Sequence, residues 1–373
     1  MKFSCKQQTL TKALNIVSKA VTTRTTIPIL KGILLKVNSD GTLTMSASDL
    51  DLGIEKTFKV QDYQPGEIVV QAKLFGDIIR KLPNDIITIE DIEEKIIIKC
   101  ASSEFNIVGS PSDEFPKLSV AEDESGKIVF EREILKDMIR KTSFAASIDE
   151  SRGIITGILV DMNQASLNMV ALDGFRMAIA RQNMKNSRDE KIIIPAGIFN
   201  EIAKIISETE TESENETAEL YINEKRAVFI IDDTKIVLRL LDGEFVKYQD
   251  ILPKENQTRV VLNRSDFLSS IERASLLAKV GKNNLIKLDI REGEIEITSK
   301  SEEGNVKESL IISKEGNDLI IGFNSKYLID ALKAIDDEEI SIYFNSSVSP
   351  CLIKPLEGNE YEYLVLPVRI TSN

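Results

Sequence analysis

The residues of this chain that could do chemistry are few in kind. Its 373 residues include no histidine, which removes the commonest general base, the Ser-His and Cys-His dyads and the commonest metal ligand together. The three cysteines, Cys5, Cys100 and Cys351, lie far apart with no CxxC spacing. That pattern fits reduced core thiols in a cytoplasm and excludes a cysteine-built zinc site. An enzyme would have to run on carboxylates, lysine or tyrosine. The stretch that brings an acid, a glycine and a fixed cation together is Asp173-Gly174-Phe175-Arg176. Asp173 and Arg176 could work as a carboxylate site, but an Asp-Gly turn explains Asp173 without chemistry, and no second acid stands at a tell-tale spacing. No P-loop, metal motif or nucleotide fingerprint is present. The expectation is no catalytic residue, no metal and no cofactor.

Asp173-Gly174 sits between two strand-like apolar runs, Leu167 to Leu172 and Met177 to Ala180. Asp-Gly so flanked is the strongest short-range hairpin signal. A second oddity lies at the far end. Tyr363-Leu364-Val365-Leu366-Pro367-Val368-Arg369-Ile370 is almost wholly apolar, whereas chain ends are usually polar and fray. Such a segment must be buried in a sheet or wall a binding groove.

Internal repetition supplies the elements around these two stretches. Three segments share a short strand followed by a helix, with apolar residues in register: Cys5, Leu10 and Leu14; Phe130, Leu135 and Ile139; Leu262, Phe267 and Ile271. A second helix recurs around Phe75, Phe199 and Leu328, each followed by an alternating strand. The chain therefore divides into three similar α+β domains, residues 1–123, 126–253 and 257–373, each with two helices and about eight strands. The borders fall at the polar stretches 122–126 and 252–257, which carry the Gly or Pro expected of linkers. The acidic stretch 207–217 reads as a solvated loop between helix and strand. No apolar run is long enough for a membrane span, and the first residues carry no signal-peptide core, so the expected compartment is the cytoplasm.

The net charge of −13 argues by itself against a nucleic-acid binder. Its distribution argues otherwise. Segments 6–24, 72–82 and 263–282 sum to +4, +2 and +2, which leaves −21 for the rest. Arg132, Lys136 and Arg140 fall on one helix face. Lysines decorate many solvated helices, so each helix alone says little. Recurrence of the bias on corresponding helices suggests a gathered positive surface that holds a polyanion without base readout. Aromatic residues do not interleave with these cations, which favours a duplex over a single strand.

Taken with the motifs Ile27-Pro28-Ile29-Leu30 after Arg24, Asp49-Leu50-Asp51, Asp113-Glu114-Phe115-Pro116, Asp173-Gly174-Phe175-Arg176, Leu241-Asp242-Gly243 and Leu366-Pro367-Val368-Arg369-Ile370, the chain closely resembles, over its whole length, the bacterial sliding clamps, the beta subunits of DNA polymerase III. The resemblance implies three clamp domains per chain and a head-to-tail homodimeric ring around double-stranded DNA, without sequence specificity or intrinsic catalysis. Arg24, Lys73 and Arg152 match family positions that meet DNA. The helix-face argument adds Arg80, Lys136, Arg140, Lys204 and Arg264. Asp149, Gly153, Ile154 and Ala196-Gly197 depart from the family and weaken DNA contact.

The resemblance also implies a groove in which the clamp loader, the replicative polymerase and repair proteins insert a short apolar peptide. Matching positions are Ile155, Leu172, Gly174, Phe175, Arg176, Met177, Val246, Ile251, Asn324, Tyr327, Val348, Leu364, Val365, Leu366, Pro367, Val368 and Arg369. Arg176 and Arg369 would hold the peptide's polar groups, and the tail 371–373 could crowd the mouth. By the same match, Phe105 and Ile107 of one subunit would meet Leu276 and Leu277 of the other. The competing expectations are the carboxylate enzyme above and an acidic three-repeat scaffold that keeps the groove but does not encircle DNA.

Overall fold

A computed structural model describes residues 1–118, 127–184, 189–209, 216–281 and 283–370. The 122–126 border, positions 210–215 of the acidic stretch, Lys282 and the tail 371–373 lie outside the described residues.

The first repeat contains β1 (Lys2–Lys6), β2 (Gly32–Val37), β3 (Thr42–Ser48), β4 (Leu52–Lys59), β5 (Gln61–Gln64), β6 (Gly66–Gln71), β7 (Ile86–Ile92), β8 (Lys95–Cys100) and β9 (Ser103–Ser110), with helices α1 (Gln7–Val17) and α2 (Ala72–Lys81). The second contains β10 (Ile128–Glu131), β11 (Gly157–Met162), β12 (Ser166–Leu172), β13 (Arg176–Asn183), β14 (Glu190–Pro195), β15 (Thr217–Ile222), β16 (Arg226–Ile231) and β17 (Thr234–Arg239), with α3 (Arg132–Ser143) and α4 (Ala196–Thr209). The third contains β18 (Thr258–Asn263), β19 (Leu285–Arg291), β20 (Glu294–Ser301), β21 (Gly304–Ile311), β22 (Ser313–Gly316), β23 (Leu319–Asn324), β24 (Glu339–Phe344), β25 (Cys351–Pro355) and β26 (Tyr361–Val365), with α5 (Arg264–Ala278) and α6 (Ser325–Lys333). The strand-to-helix steps read from periodicity are all there.

Local chemistry explains where the helices begin and end. The side chains of Gln71, Asn263 and Asn324 accept from Leu74 N, Asp266 N and Lys326 N and so cap α2, α5 and α6. Pro83 closes α2 by forcing Leu82 into an extended conformation. Phe75, Ile78 and Ile79 of α2 are buried, as the helical spacing requires. Each fully buried Phe or Leu contributes about 1.5–3 kcal/mol. One boundary moves: α4 runs to Thr209, whose hydroxyl donates to Ile205 O or Ile206 O, so 207–209 close a helix instead of opening a loop.

The described residues form two compact units, Met1–Glu133 with Glu201–Leu240, and Ile134–Asn200 with Leu241–Asn373. Unit 1 carries one sheet in the order β10-β15-β16-β17-β4-β3-β2-β6-β9-β8-β7-β1-β5. Unit 2 carries two, β14-β11-β12-β13-β26-β25-β24-β18-β22 and β21-β20-β19-β23. The second repeat is divided because β17 hydrogen-bonds along β4, whereas β13 hydrogen-bonds along β26. The repeat is visible in the strand order itself. The set β4-β3-β2-β6 recurs as β13-β12-β11-β14 and as β21-β20-β19-β23. The outer strand of the first set continues into β17 and that of the second into β26. The outer strand of the third, β21, ends its sheet among the described residues.

Candidate functional site

The site is best built from the turn joining β12 and β13. Asp173 Oδ1 accepts from Phe175 N at 2.8 Å and Arg176 N at 3.0 Å, and Asp173 N donates to Arg176 O at 3.2 Å. The sequence pattern puts Asp-Gly at the centre of the turn. The structure centres it one residue later, on Gly174-Phe175. Gly174 has φ +89°, a conformation that favours glycine and suits the first central position of a hairpin turn. The shift aims Phe175 outward, where it is 54% exposed and stacks on Tyr327 of α6 with centroids 6.1 Å apart.

The side chain of Arg176 is only 9% exposed. Nε donates to Asp173 at 3.0 Å and Nη1 to Asp330 at 2.6 Å, and the guanidinium lies over the rings of Tyr327 and Phe144, 4.7 Å and 5.5 Å from their centroids. Nε and Nη1 thus serve the protein's own turn and helix, tying Asp173 to α6. Burial, then the Asp173 charge, raises the Tyr327 hydroxyl above the ordinary tyrosine value.

Leu172, Met177, Leu364 and Val365 are buried. Leu172, Met177 and Leu364 pack with Leu159, Val170, Ile179, Ile193, Tyr248 and Leu352. Half-buried Ile154, Ile155, Leu241, Phe245, Leu252 and Tyr343 lean on that cluster. Tyr248 O–H donates to Asp161 at 3.1 Å, and burial and that carboxylate push its pKa up to about 12. Val246, Ile251, Val348 (74% exposed), Leu366 and Ile370 present apolar surface to water. The terminal strand stops at Val365, short of the Ile370 suggested by the apolar run. Beyond it Leu366 N donates to Phe175 O at 2.9 Å and Val368 N to Gly322 O at 2.8 Å. Pro367 and Val368 are half-buried and Arg369 exposed. Asn324 caps α6 beside Tyr327.

Ile154, Tyr248, Tyr343, Leu352 and Phe144 escape the sequence reading as site residues. The signal available for Tyr248 was a third large apolar residue, after Phe245 and Val246, in the 242–250 connection. The others sit in patterns indistinguishable from ordinary core.

The expected DNA-facing cations separate into groups. Arg24 and Lys73 are exposed, and among the described residues their side chains have no acid within ion-pair distance. Arg152 is exposed and donates to Asp173 O, lying against Gly174. Arg80 pairs with Asp77 at 3.5 Å and Lys204 with Glu201 at 2.7 Å, each within one helical turn. Arg140 binds Asp137, Asp336 and Ala334 O, and Arg264 donates to Asp337 O and Leu332 O. Lys136 is half-buried on α3. Arg132 leaves the exposed face altogether: it is 3% exposed, pairs with Asp232 at 2.6 Å and donates to Thr217 O. At the first position of α3 its side chain leans back over the strand it has just left. Phe105 and Leu276 are exposed, on β9 and α5, and Ile107 and Leu277 half-buried.

Comparison with known proteins agrees along the whole chain. Residues 1–119 match the N-terminal domain, 130–247 the central domain and 249–369 the C-terminal domain of the DNA polymerase III beta subunit. The beta sliding clamp of Bacillus subtilis is 35% identical over 383 residues, spanning 99% of this chain and 100% of the relative. The crystal structure of the DNA polymerase sliding clamp from Bacillus subtilis superposes with a TM-score of 0.93 at 34% identity, covering 100% of both chains. That of the DNA polymerase III beta subunit from Thermotoga maritima gives 0.92 at 30% identity over 99% of this chain and 100% of that one.

Proposed function

The chain belongs to the DNA polymerase III beta subunit family, the sliding clamps, and on that premise we propose that two copies close head to tail into a ring around duplex DNA. The ring tethers the replicative polymerase and other partners, and so makes replication processive. The observation that carries this is the succession of three family domains along one chain. The same matches support three clamp domains at 1–123, 126–253 and 257–373. The protein is a non-catalytic processivity factor, and it acts in the cytoplasm. No helix among the described residues is long and apolar enough to cross a membrane.

The strand order supports the head-to-tail contact. Where β4 has β17 and β13 has β26, β21 ends its sheet, with Ile311 exposed at its end. On the other side of the repeat, β9 is the counterpart of β17 and β26. It pairs with β8 throughout but with β6 only at Gly109 and Ser110. Unpaired strand edges of this kind invite pairing. A β9 edge from one copy laid along β21 of another repeats the internal arrangement, with Phe105 and Ile107 near Leu276 and Leu277. It is a heterologous contact whose rotation closes.

DNA is then held by topology. Arg24, Lys73 and Arg152 offer phosphate contacts, and Lys136, Arg80, Arg140, Lys204 and Arg264 add positive potential softened by their acids and carbonyls. A weak grip suits sliding. The clamp loader, polymerase and repair proteins dock by a short apolar peptide on the unit 2 groove, against Phe175, Tyr327, Val246, Ile251, Val348 and Leu366. The deciding experiment is retention on nicked circular DNA after loading by a clamp loader, against the same DNA linearised, across a salt series. Phosphate binding falls steeply with salt and ignores topology. Salt-resistant retention on circles, lost on linear DNA, is expected. Equal, salt-sensitive binding to both overturns encirclement, and no retention on either favours a scaffold without DNA.

A further inference from the structure

The turn that shapes the unit 2 groove recurs in unit 1, between β3 and β4, with different side chains. Asp49 N donates to Leu52 O at 3.0 Å, and Asp49 Oδ1 accepts from Asp51 N at 3.0 Å and Leu52 N at 2.7 Å. These are the bonds Asp173 makes. Leu50, at φ +82°, stands where Gly174 stands. Leu238 faces Leu52, and Arg239 N donates to Asp51 O at 2.8 Å, as Leu366 N donates to Phe175 O. Beneath them Leu118 packs with Tyr221, Val228 and Val237, the counterpart of the Tyr248 cluster. A small cavity of about 40 Å³ opens between Leu50, Gly53, Leu118 and Leu238, rimmed by Lys117, Arg226 and Arg239.

Two features of this place give the free protein no visible return. Leu50 is held in a left-handed conformation that a non-glycine residue adopts at a cost, and it is 52% exposed. Arg226 and Arg239 sit directly opposite on β16 and β17, a like-charge pairing that destabilises a sheet. Among the described residues Arg226 has no acid within ion-pair distance, and Arg239 reaches only Asp51, at 3.6 Å and with both side chains largely exposed. Of the turn's two acids, Asp49 is occupied in holding the turn.

We propose that this pocket is a second docking site, for a short segment carrying a small aliphatic side chain flanked by carboxylates. The aliphatic group covers Leu50 and enters the cavity beside Leu118 and Leu238. The carboxylates bridge Arg226 and Arg239, displacing Asp51. The site takes a different peptide from the unit 2 groove, whose mouth is apolar and aromatic.

The test is fluorescence anisotropy of a fluorescein-labelled Glu-Asp-Val-Asp-Glu peptide on the full chain, with Lys-Lys-Val-Lys-Lys as the charge-reversed control. Saturable binding of the acidic peptide alone is expected, weakened roughly tenfold or more by Arg226→Glu and by added salt. Leu50→Gly separates site from scaffold: relief of the left-handed strain raises the melting temperature, while peptide affinity falls at least severalfold. Three results overturn the proposal: no saturable binding up to about 1 mM peptide, wild-type affinity in Leu50→Gly, or loss of binding in Phe175→Ala, which places the peptide in the unit 2 groove.

Discussion

Replacing Arg176 by methionine tests whether the groove is held by its buried ion pairs. Methionine keeps most of the volume between Tyr327 and Phe144 but removes the charge that joins Asp173 to Asp330. Truncating one partner of a buried pair costs about 3–5 kcal/mol. Here the loss is smaller, because Asp330 keeps Lys326 at 2.6 Å and Asp173 keeps its bonds to Phe175 N and Arg176 N. We expect about 2–3 kcal/mol, including the lost cation–π contacts. For a unit of this size that lowers the melting temperature by roughly 4–12 °C. The freed turn no longer presents Phe175 against Tyr327, so affinity for a labelled peptide with two apolar anchors falls about tenfold or more. Asp330→Asn keeps Asp173 and does less. The double variant measures the coupling, expected above about 1 kcal/mol for groups in contact. Thermal unfolding and peptide anisotropy suffice as assays. A melting temperature unchanged within about 2 °C, where even 1 kcal/mol would move it that far, together with wild-type affinity, would refute the positioning role. Lost affinity at wild-type stability would return Arg176 to direct contact with the guest.

Three further outcomes are expected. Burial by itself would raise the Glu362 carboxyl, but hydrogen bonds from Lys354 and Arg181 outweigh it and hold the pKa below the ordinary 4.5. A depressed folded pKa contributes stability that is full above the unfolded value and is lost as pH falls through the folded one. Glu362→Gln should therefore flatten the loss of stability below about pH 4.5 while lowering stability at neutral pH, read by thermal melts across that range. Leu276→Glu places a charge on exposed apolar surface of α5. It should shift gel filtration from dimer to monomer and abolish retention on circular DNA, with peptide affinity unchanged within about twofold. Ending the chain at Leu366 removes the Val368 N to Gly322 O bond and the cover that 367–370 lay on β23. Peptide binding should be lost with the dimer intact, and monomers instead would make the segment structural.

Much of the fold was open to inspection in the sequence because its signals are local. Phe75, Ile78 and Ile79 mark their helix by spacing. Phe130 and Leu262 repeat the register of Cys5, and Asp-Gly announces the hairpin. The apolar end of the chain pointed to a strand buried in a sheet or to a groove wall, and β26 is buried between β13 and β25. What only the tertiary structure decided is which side chain each charge meets and which strand each edge meets. Arg176 and Asp330 are 154 positions apart, and nothing in either neighbourhood foretells their bond. The helix-face cations looked free because periodicity places a residue on a face but does not count the acids that other segments bring to it. Arg140 meets Asp336 and Arg264 meets Asp337 O only once α3, α5 and the stretch after α6 come together. Likewise Leu50 looks like any leucine until the backbone shows it in a glycine's conformation. Periodicity and turn chemistry act over a few residues and are written in the order of the chain. Charge pairing, burial and strain depend on distances in space, which chain order does not contain.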